Sequence, residues 1–215
     1  MTIAAENRDP SPLRLNLGCG HQKLAGYLNV DRFGDPDFHW DLEQLPWPWA
    51  DNSISEIRLI HVLEHLGQVP EIYWGIIQEM YRICQPETLI YIVVPHPRHE
   101  NFINDPTHVR AITPAGLRLF DQQANREWIQ KGLPFSTLGL HLGVDLEVVG
   151  TYYKPSTFWF QRYPEGAIDQ ARFIQESLFF NNIIEEIQIS LKVIKPGRGS
   201  SPQLPTSSVS SAFRP

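Results

Sequence analysis

Apolar and polar positions change their period repeatedly along this chain. Leu13–Leu17 (LRLNL) alternates as a strand does and ends at a Gly-x-Gly turn. Tyr27–Asp31 (YLNVD) reads as a second strand closing on an acid, and Asp37–Trp40 as a short third. Ile54–Ile60 (ISEIRLI) is a fourth, behind the turn signal Asn52–Ser53. Between Pro70 and Cys84 the residues Ile72, Ile76, Met80 and Ile83 recur at helical spacing, with Tyr73 and Ile77 beside them. Pro70 suits the first turn of that helix and Pro86 closes it. Leu89–Val94 (LIYIVV) is a continuous apolar run, which predicts a strand buried on both faces of a parallel sheet. Thr113 stands where it would cap a helix over Pro114–Gln122. Asp145–Tyr153 and Glu186–Ile194 read as late strands, with a helix over about Glu165–Phe180 between them.

Strands and helices in alternation predict an α/β three-layer sandwich with a mostly parallel central sheet. Ligands bind such sheets outside the carboxyl ends of the strands. That rule selects Gly18–Gly20, Asp31, Asp41–Leu42, His61 and Pro95–His99 as candidate site segments.

Composition narrows the picture. The chain of 215 residues carries 18 Lys+Arg against 24 Asp+Glu, a net charge of −6, so it lacks the general basic excess of a nucleic-acid binder. Apolar residues at 42% are enough for one packed domain, predicted over 13–195. The leader, residues 1–12, has no periodicity and is expected to be flexible. The tail, residues 196–215, is rich in Ser and Pro and is expected to be disordered. Two cysteines, Cys19 and Cys84, make no disulfide scaffold. With no signal peptide or membrane-length apolar run in the sequence, the expected location is cytoplasmic.

Three strand ends carry recognisable chemistry. In Asn16-Leu17-Gly18-Cys19-Gly20, two glycines allow a sharp turn and close approach of a ligand, or simply turn the chain. Asp31 can accept two hydrogen bonds from a ribose diol, or cap a turn. A dinucleotide fingerprint needs a third glycine and an acid about 20 residues on, and this spacing disfavours NAD or FAD. In Trp40-Asp41-Leu42, a carboxylate followed by a main-chain N–H can read the edge of adenine.

The ordered set LNLGCG, NVD and DLEQLPWPWADNSISEIRLIHVLEH resembles the class I S-adenosylmethionine-dependent methyltransferases, in particular the small predicted enzymes of the methyltransferase-type-11 pattern. The resemblance spans roughly Leu13–Pro95. It implies a Rossmann-like fold, S-adenosylmethionine as cofactor, and methyl transfer to a small molecule, sugar or lipid precursor. It also implies roles. Gly18 and Gly20 would face the methionine part of the cofactor, and Asn16 would take a position usually held by an acid. Asp31 would hold the ribose hydroxyls, Asp41 and the Leu42 N–H would bind adenine, and His61 would lie beside the methionine moiety. Besides Asn16, the sequence departs from the pattern in two places. His21–Gly26 is too short for a full first crossover helix, and Gln85-Pro86-Glu87-Thr88 replaces the usual Pro-Gly-Gly turn. Asn16 and the short first crossover keep open a non-catalytic nucleotide-binding or scaffold domain of the same fold, whereas the altered turn bears on the backbone and not on the chemistry.

His61-Val62-Leu63-Glu64-His65 also matches H-x-x-E-H, a zinc-hydrolase signature that needs both histidines on one helix. A strand reading before it, and Gly67 and Pro70 after it, leave little room for that helix. Beyond the fifth strand, His96 and His99 are candidate catalytic bases for proton removal from an acceptor, and Arg98 and Arg110 candidate clamps for an acidic group. His96, His99, Asp105 and His108 form an alternative metal set, and a plain hydrogen-bonded loop is the third reading. The aromatic run Tyr152, Tyr153, Phe158, Trp159, Phe160 and Tyr163 fits an acceptor pocket or an ordinary core.

Overall fold

The structure, a computed structural model, describes residues 12–162 and 170–195. The leader to residue 11, the tail from residue 196, Tyr163 and residues 165–169 of the expected late helix lie outside the described residues.

Seven strands form one sheet: β1 Leu13–Leu17, β2 Leu28–Asp31, β3 Phe38–His39, β4 Ile54–Ile60, β5 Cys84–Pro95, β6 Leu146–Pro155 and β7 Ile184–Val193. Their order across the sheet is β3-β2-β1-β4-β5-β7-β6. The first five run parallel, and β7 runs antiparallel to both of its neighbours. This is the predicted mostly parallel α/β sheet. Its order reverses between β1 and β4, so the crevice beyond their carboxyl ends is where such a sheet opens to a ligand.

The core follows from the strand pattern. Leu15, Leu17, Ile57 and Leu59 are fully buried, and on β5 Ile90, Ile92 and Val94 fill one face. The other β5 face, with Tyr91 and Val93, is only half-buried, so the expected burial on both faces is incomplete. Helix α1, Pro70–Ile83, lays Ile76, Ile77, Met80 and Ile83 into the same core. Pro70 opens α1 as expected, but the chain turns extended at Cys84 and enters β5 at once. The register against β4 slips between Ile54, paired with Cys84, and Glu56, paired with Leu89. Gln85–Thr88 are therefore absorbed as an irregularity of the strand edge, with Glu87 at φ +64°.

Between β1 and β2 the chain makes turns and no helix, in keeping with the short first crossover. Two buried asparagines satisfy its polar groups in place of a helical ladder. Asn16 Nδ2 donates to Gln22 O and to Asn29 Oδ1, both at 2.9 Å, and Leu24 N–H donates to Asn29 Oδ1 at 2.7 Å.

After β5 come α2 Glu100–Ile103, α3 Pro114–Leu117, α4 Gln122–Gln130 and α5 Leu138–Leu142. Thr113 caps α3 through Gly116 N–H as expected, but the expected helix over 114–122 is broken. A 3-10 turn over Arg118–Phe120 follows α3, and Asp121 caps a new start at α4. Among the described residues between β6 and β7 stand two short helices, α6 Thr157–Arg162 and α7 Gln170–Ser177, the second within the span of the expected late helix. Trp159 packs there with Phe173, Ile183 and Ile184 as a small second core, while Tyr152, Phe158 and Phe160 are exposed. Among the described residues no helix is long and apolar enough to cross a membrane.

Candidate functional site

Four strand ends deliver side chains to one cavity of about 230 Å³, lined by Gly18, Asp31, Trp40 to Glu43, His61, Val62 and their neighbours. It lies where the strand order reverses.

Gly18 follows β1 with φ +65°, and a Cβ on it would come 2.5 and 2.7 Å from the two Val62 methyls. Only glycine lets the first loop pass this close to the β4 exit. Gly20, at φ +50°, has open space where its Cβ would stand. Asp31 closes β2. Its Oδ2 accepts the Gly20 N–H at 2.8 Å and its Oδ1 accepts the Phe33 N–H at 2.9 Å. The carboxylate therefore ties the first loop to the second, and each oxygen retains a lone pair for a ligand.

After β3, Asp41 Oδ1 accepts the Glu43 N–H at 3.0 Å, and Oδ2 sits 3.4 Å from an Arg32 guanidinium nitrogen. Both partners of that pair are about half exposed, so it contributes roughly 0–1 kcal/mol and yields readily to a ligand. Leu42 is buried, and its carbonyl accepts the Trp47 indole N–H at 3.0 Å. Several lining residues carried no role in the sequence reading, Phe33 and Trp40 among them. Phe33 is 67% exposed at the rim, with the Arg32 guanidinium over its ring at 4.6 Å from the centroid. Trp40 lines the cavity, and its buried indole N–H has no acceptor among the described residues. An unpaired buried donor costs about 1–3 kcal/mol, and a ligand acceptor would remove that cost.

His61 ends β4 in a left-handed conformation, φ +55°, with its N–H donating to Val93 O at 2.8 Å. Such a backbone costs about 1–2 kcal/mol outside glycine. Its ring lies between two carboxylates, with Nδ1 3.5 Å from Glu64 Oε1 and Nε2 3.2 Å from Glu186 Oε1. The Glu64 contact is too long for a strong hydrogen bond, and its attraction is mainly Coulombic. Glu64, and then Glu186, favour the imidazolium and raise the ring's pKa above its ordinary range, while burial disfavours the charged form and opposes them.

The cavity therefore gathers Gly18, Asp31, Asp41, Leu42 and His61. Asn16 is not among its lining residues. It is 3% exposed, and its amide hydrogens are spent on Gln22 O in the first crossover and on Asn29 Oδ1 of β2. Expected to face the cofactor, it holds up the glycine loop from beneath.

His96 and His99 also stand apart from this cavity. The loop after β5 turns toward β7, where His96 N–H donates to Glu185 O. His96 Nδ1 accepts the Arg98 N–H at 3.2 Å, and His99 Nδ1 accepts the Asn101 N–H at 3.1 Å as the cap of α2. Burial, with Arg98 and His99 nearby, lowers the His96 pKa and keeps its ring neutral. A neutral ring accepting at Nδ1 carries its proton on Nε2, so it can donate there but not take a proton. The two arginines are internal ties as well. Arg98 donates to Ser177 O and Leu178 O, and Arg110 donates to Gly67 O at 2.6 Å and stacks over Tyr73.

The H-x-x-E-H stretch forms a 3-10 turn, Leu63–His65, rather than a helix. The geometry that the zinc-hydrolase alternative requires, two histidines one helical turn apart, is therefore not formed: His61 faces Glu64 and Glu186.

No family model and no curated protein matches the sequence. Among solved structures, the chain is similar to an S-adenosylmethionine-dependent methyltransferase from Archaeoglobus fulgidus. The TM-score is 0.56 at 17% identity, over 85% of this chain and 86% of that one. A second such methyltransferase, from Methanosarcina mazei, matches at TM-score 0.49 and 13% identity, over 87% of this chain and 94% of that one. The chain thus has the class I S-adenosylmethionine-dependent methyltransferase fold.

Proposed function

We propose that this chain binds S-adenosylmethionine and transfers its methyl group to a small-molecule acceptor, with a sugar or a lipid precursor as the leading classes. One observation carries the reading: a glycine turn, two acids and a histidine from four separate strand ends meet around a single cavity at the reversal of strand order.

The residues fit the cofactor group by group. Gly18 and Gly20 leave room beside the main chain for the methionine part. Asp31 offers a carboxylate to the ribose hydroxyls. Asp41 offers one to the adenine amine, with the Leu42 N–H beside it for a ring nitrogen. Phe33 offers a flat apolar face at the rim. Asp31, Asp41 and Glu43 outnumber the cations Arg32 and His61 around the cavity, a balance suited to a ligand of net positive charge. When bound, the sulfonium supplies an electrophilic methyl. The chain need only hold an acceptor atom in line with the breaking C–S bond, at roughly 3–3.5 Å. His61 stands at the wall between Glu64 and Glu186, which favour its charged form. We assign proton removal to neither His96 nor His99 in the conformation described. The buried thiols Cys19 and Cys84 support a reducing, cytoplasmic setting.

One observation favours a second reading, a nucleotide-binding scaffold without transfer activity: the first crossover has no helix, so one flank of the cavity is covered by turns alone. Calorimetry with S-adenosylmethionine and with NAD separates the possibilities. Saturable binding of the first and none of the second supports the fold-based reading, and the absence of the first overturns it. Methyl transfer from isotopically labelled cofactor to a panel of hydroxylated small molecules then distinguishes enzyme from scaffold.

A further inference from the structure

We propose that Glu64, His65 and His108 form a binding site for a divalent transition-metal ion of the zinc class, at the edge of the cofactor cavity. One potential ligand atom from each of the three lies within 4.8 Å of one from each of the others. The set crosses the two sequence motifs. Glu64 and His65 belong to H-x-x-E-H, but its first histidine takes no part, and His108 comes from the loop beyond β5.

The main chain builds this meeting point. Val109 N–H and Arg110 N–H both donate to Glu64 O, at 2.9 and 3.2 Å, and clamp the loop after β5 onto the 3-10 turn. The rings of His65 and His108 consequently lie 4.6 Å apart, centre to centre.

The hydrogen bonds around the histidines fix which nitrogen each can offer. His108 Nδ1 lies 2.9 Å from Phe102 O, which can only accept, so Nδ1 carries the proton and Nε2 keeps its lone pair. His65 Nδ1 lies 3.3 Å from Thr107 O and 2.9 Å from Thr107 Oγ1. The Thr107 hydroxyl spends its own hydrogen on Asp105 Oδ1 at 2.6 Å, so it too accepts from the ring. Both imidazoles are thus locked as Nδ1–H tautomers by oxygen acceptors, the arrangement by which proteins orient metal-ligating histidines. His96 and His99, with Nδ1 accepting, are locked the opposite way.

Glu64 provides the independent observation. Its side chain is fully buried, and among the described residues neither carboxylate oxygen has a hydrogen-bond partner. Leaving such a group without donors costs several kcal/mol, and His61 at 3.5 Å offsets only part of that. A cation held with the two imidazoles would offset the rest. Asp105 Oδ2, 3.8 Å from His108 Nε2, stands within reach as a further oxygen ligand.

Two imidazoles and one carboxylate favour zinc or a neighbouring transition ion over magnesium. Three protein ligands leave at least one position for water or a substrate oxygen. His65 lines both this site and the cofactor cavity, so that position lies beside the cavity.

The test uses the whole chain freed of metal by a chelator, with its fold checked by circular dichroism. Zinc chloride is titrated by calorimetry, and cobalt chloride by the visible absorption of a histidine-ligated ion. The expected result is one ion per chain, with affinity falling roughly a hundredfold in His65→Ala and His108→Ala and unchanged in His141→Ala. Glu64→Gln keeps shape and removes the buried charge. It should raise the melting temperature of the metal-free protein and abolish the further rise that zinc gives the unsubstituted chain. No stoichiometric zinc binding, or equal zinc stabilisation of the unsubstituted chain and Glu64→Gln, overturns the proposal. Neither readout depends on S-adenosylmethionine, so this site and the proposed methyl transfer fail separately.

Discussion

Replacing Gly18 by alanine tests the geometry that opens the cavity. Two costs are expected. Alanine at φ +65° is strained by about 1–2 kcal/mol relative to glycine. Its Cβ would also stand 2.5 and 2.7 Å from the two methyls of Val62, which is itself 7% exposed and has little room to retreat. Such overpacking costs about 1–3 kcal/mol. The sum, about 2–5 kcal/mol, corresponds in a chain of this size to a melting temperature lowered by roughly 4–20 °C. Gly20→Ala is the control: its φ of +50° brings the conformational strain, but no atom lies within 4 Å of the new Cβ. It should melt only about 2–8 °C below the unsubstituted chain. The assay is thermal unfolding by far-ultraviolet circular dichroism on Gly18→Ala, Gly20→Ala, Val62→Ala and the Gly18→Ala/Val62→Ala pair. The pair should be more stable than the sum of its singles by about 1–3 kcal/mol, because Val62→Ala removes the atoms in the way. Equal melting of Gly18→Ala and Gly20→Ala, or strictly additive effects in the pair, would refute the close approach of the first loop to the β4 exit.

Two further outcomes follow from ionisable groups. Asp37 accepts hydrogen bonds from the Asn29 main-chain N–H and side-chain amide and pairs with Lys23, which together hold its carboxyl below the ordinary range. A depressed folded pKa contributes stability that is present above the unfolded value near 3.8 and is lost as pH falls through the folded value. Urea unfolding between about pH 2 and 6 should show this acid-side loss, and Asp37→Asn should flatten it. Burial pushes the Cys84 thiol up to about 12 and raises Cys19 as well. Neither should react with a thiol reagent at pH 8 until denaturant is added, and rapid labelling of the native chain would contradict the packing described.

The sheet was largely legible because β1, β4, α1 and the β5 run bury their apolar residues with a clear period. Helices α4 and α5 were missed because periodicity had little to report: α4 buries only Ala124 and Asn125, and α5 only Gly139. At the candidate site, Gly18, Asp31, Asp41 and His61 lie at or within two residues of a strand's carboxyl end, and the rule about carboxyl ends selects such residues without further information. Asn16 has the right position but the wrong direction. Gln22 in the crossover and Asn29 on β2 turn it inward, and nothing in the local pattern shows this. The loop after β5 was expected on the ligand side, but pairing of His96 with Glu185 draws it toward β7, and antiparallel neighbours from the far end of the chain leave no local mark. His108 likewise meets His65 through main-chain bonds to Glu64 from more than 40 residues away, a contact that no spacing rule finds.

The central claim is that one nucleoside lies across the sheet edge between Asp31 and Asp41. Isothermal titration of S-adenosylmethionine into the unsubstituted chain, Asp31→Ala and Asp41→Ala tests it most directly, with folding of each variant checked beforehand. A hydrogen bond to a carboxylate contributes about 1.5–3 kcal/mol, so each substitution should weaken binding roughly 10- to 150-fold. Binding of the cofactor at unchanged affinity by either folded variant would contradict the account.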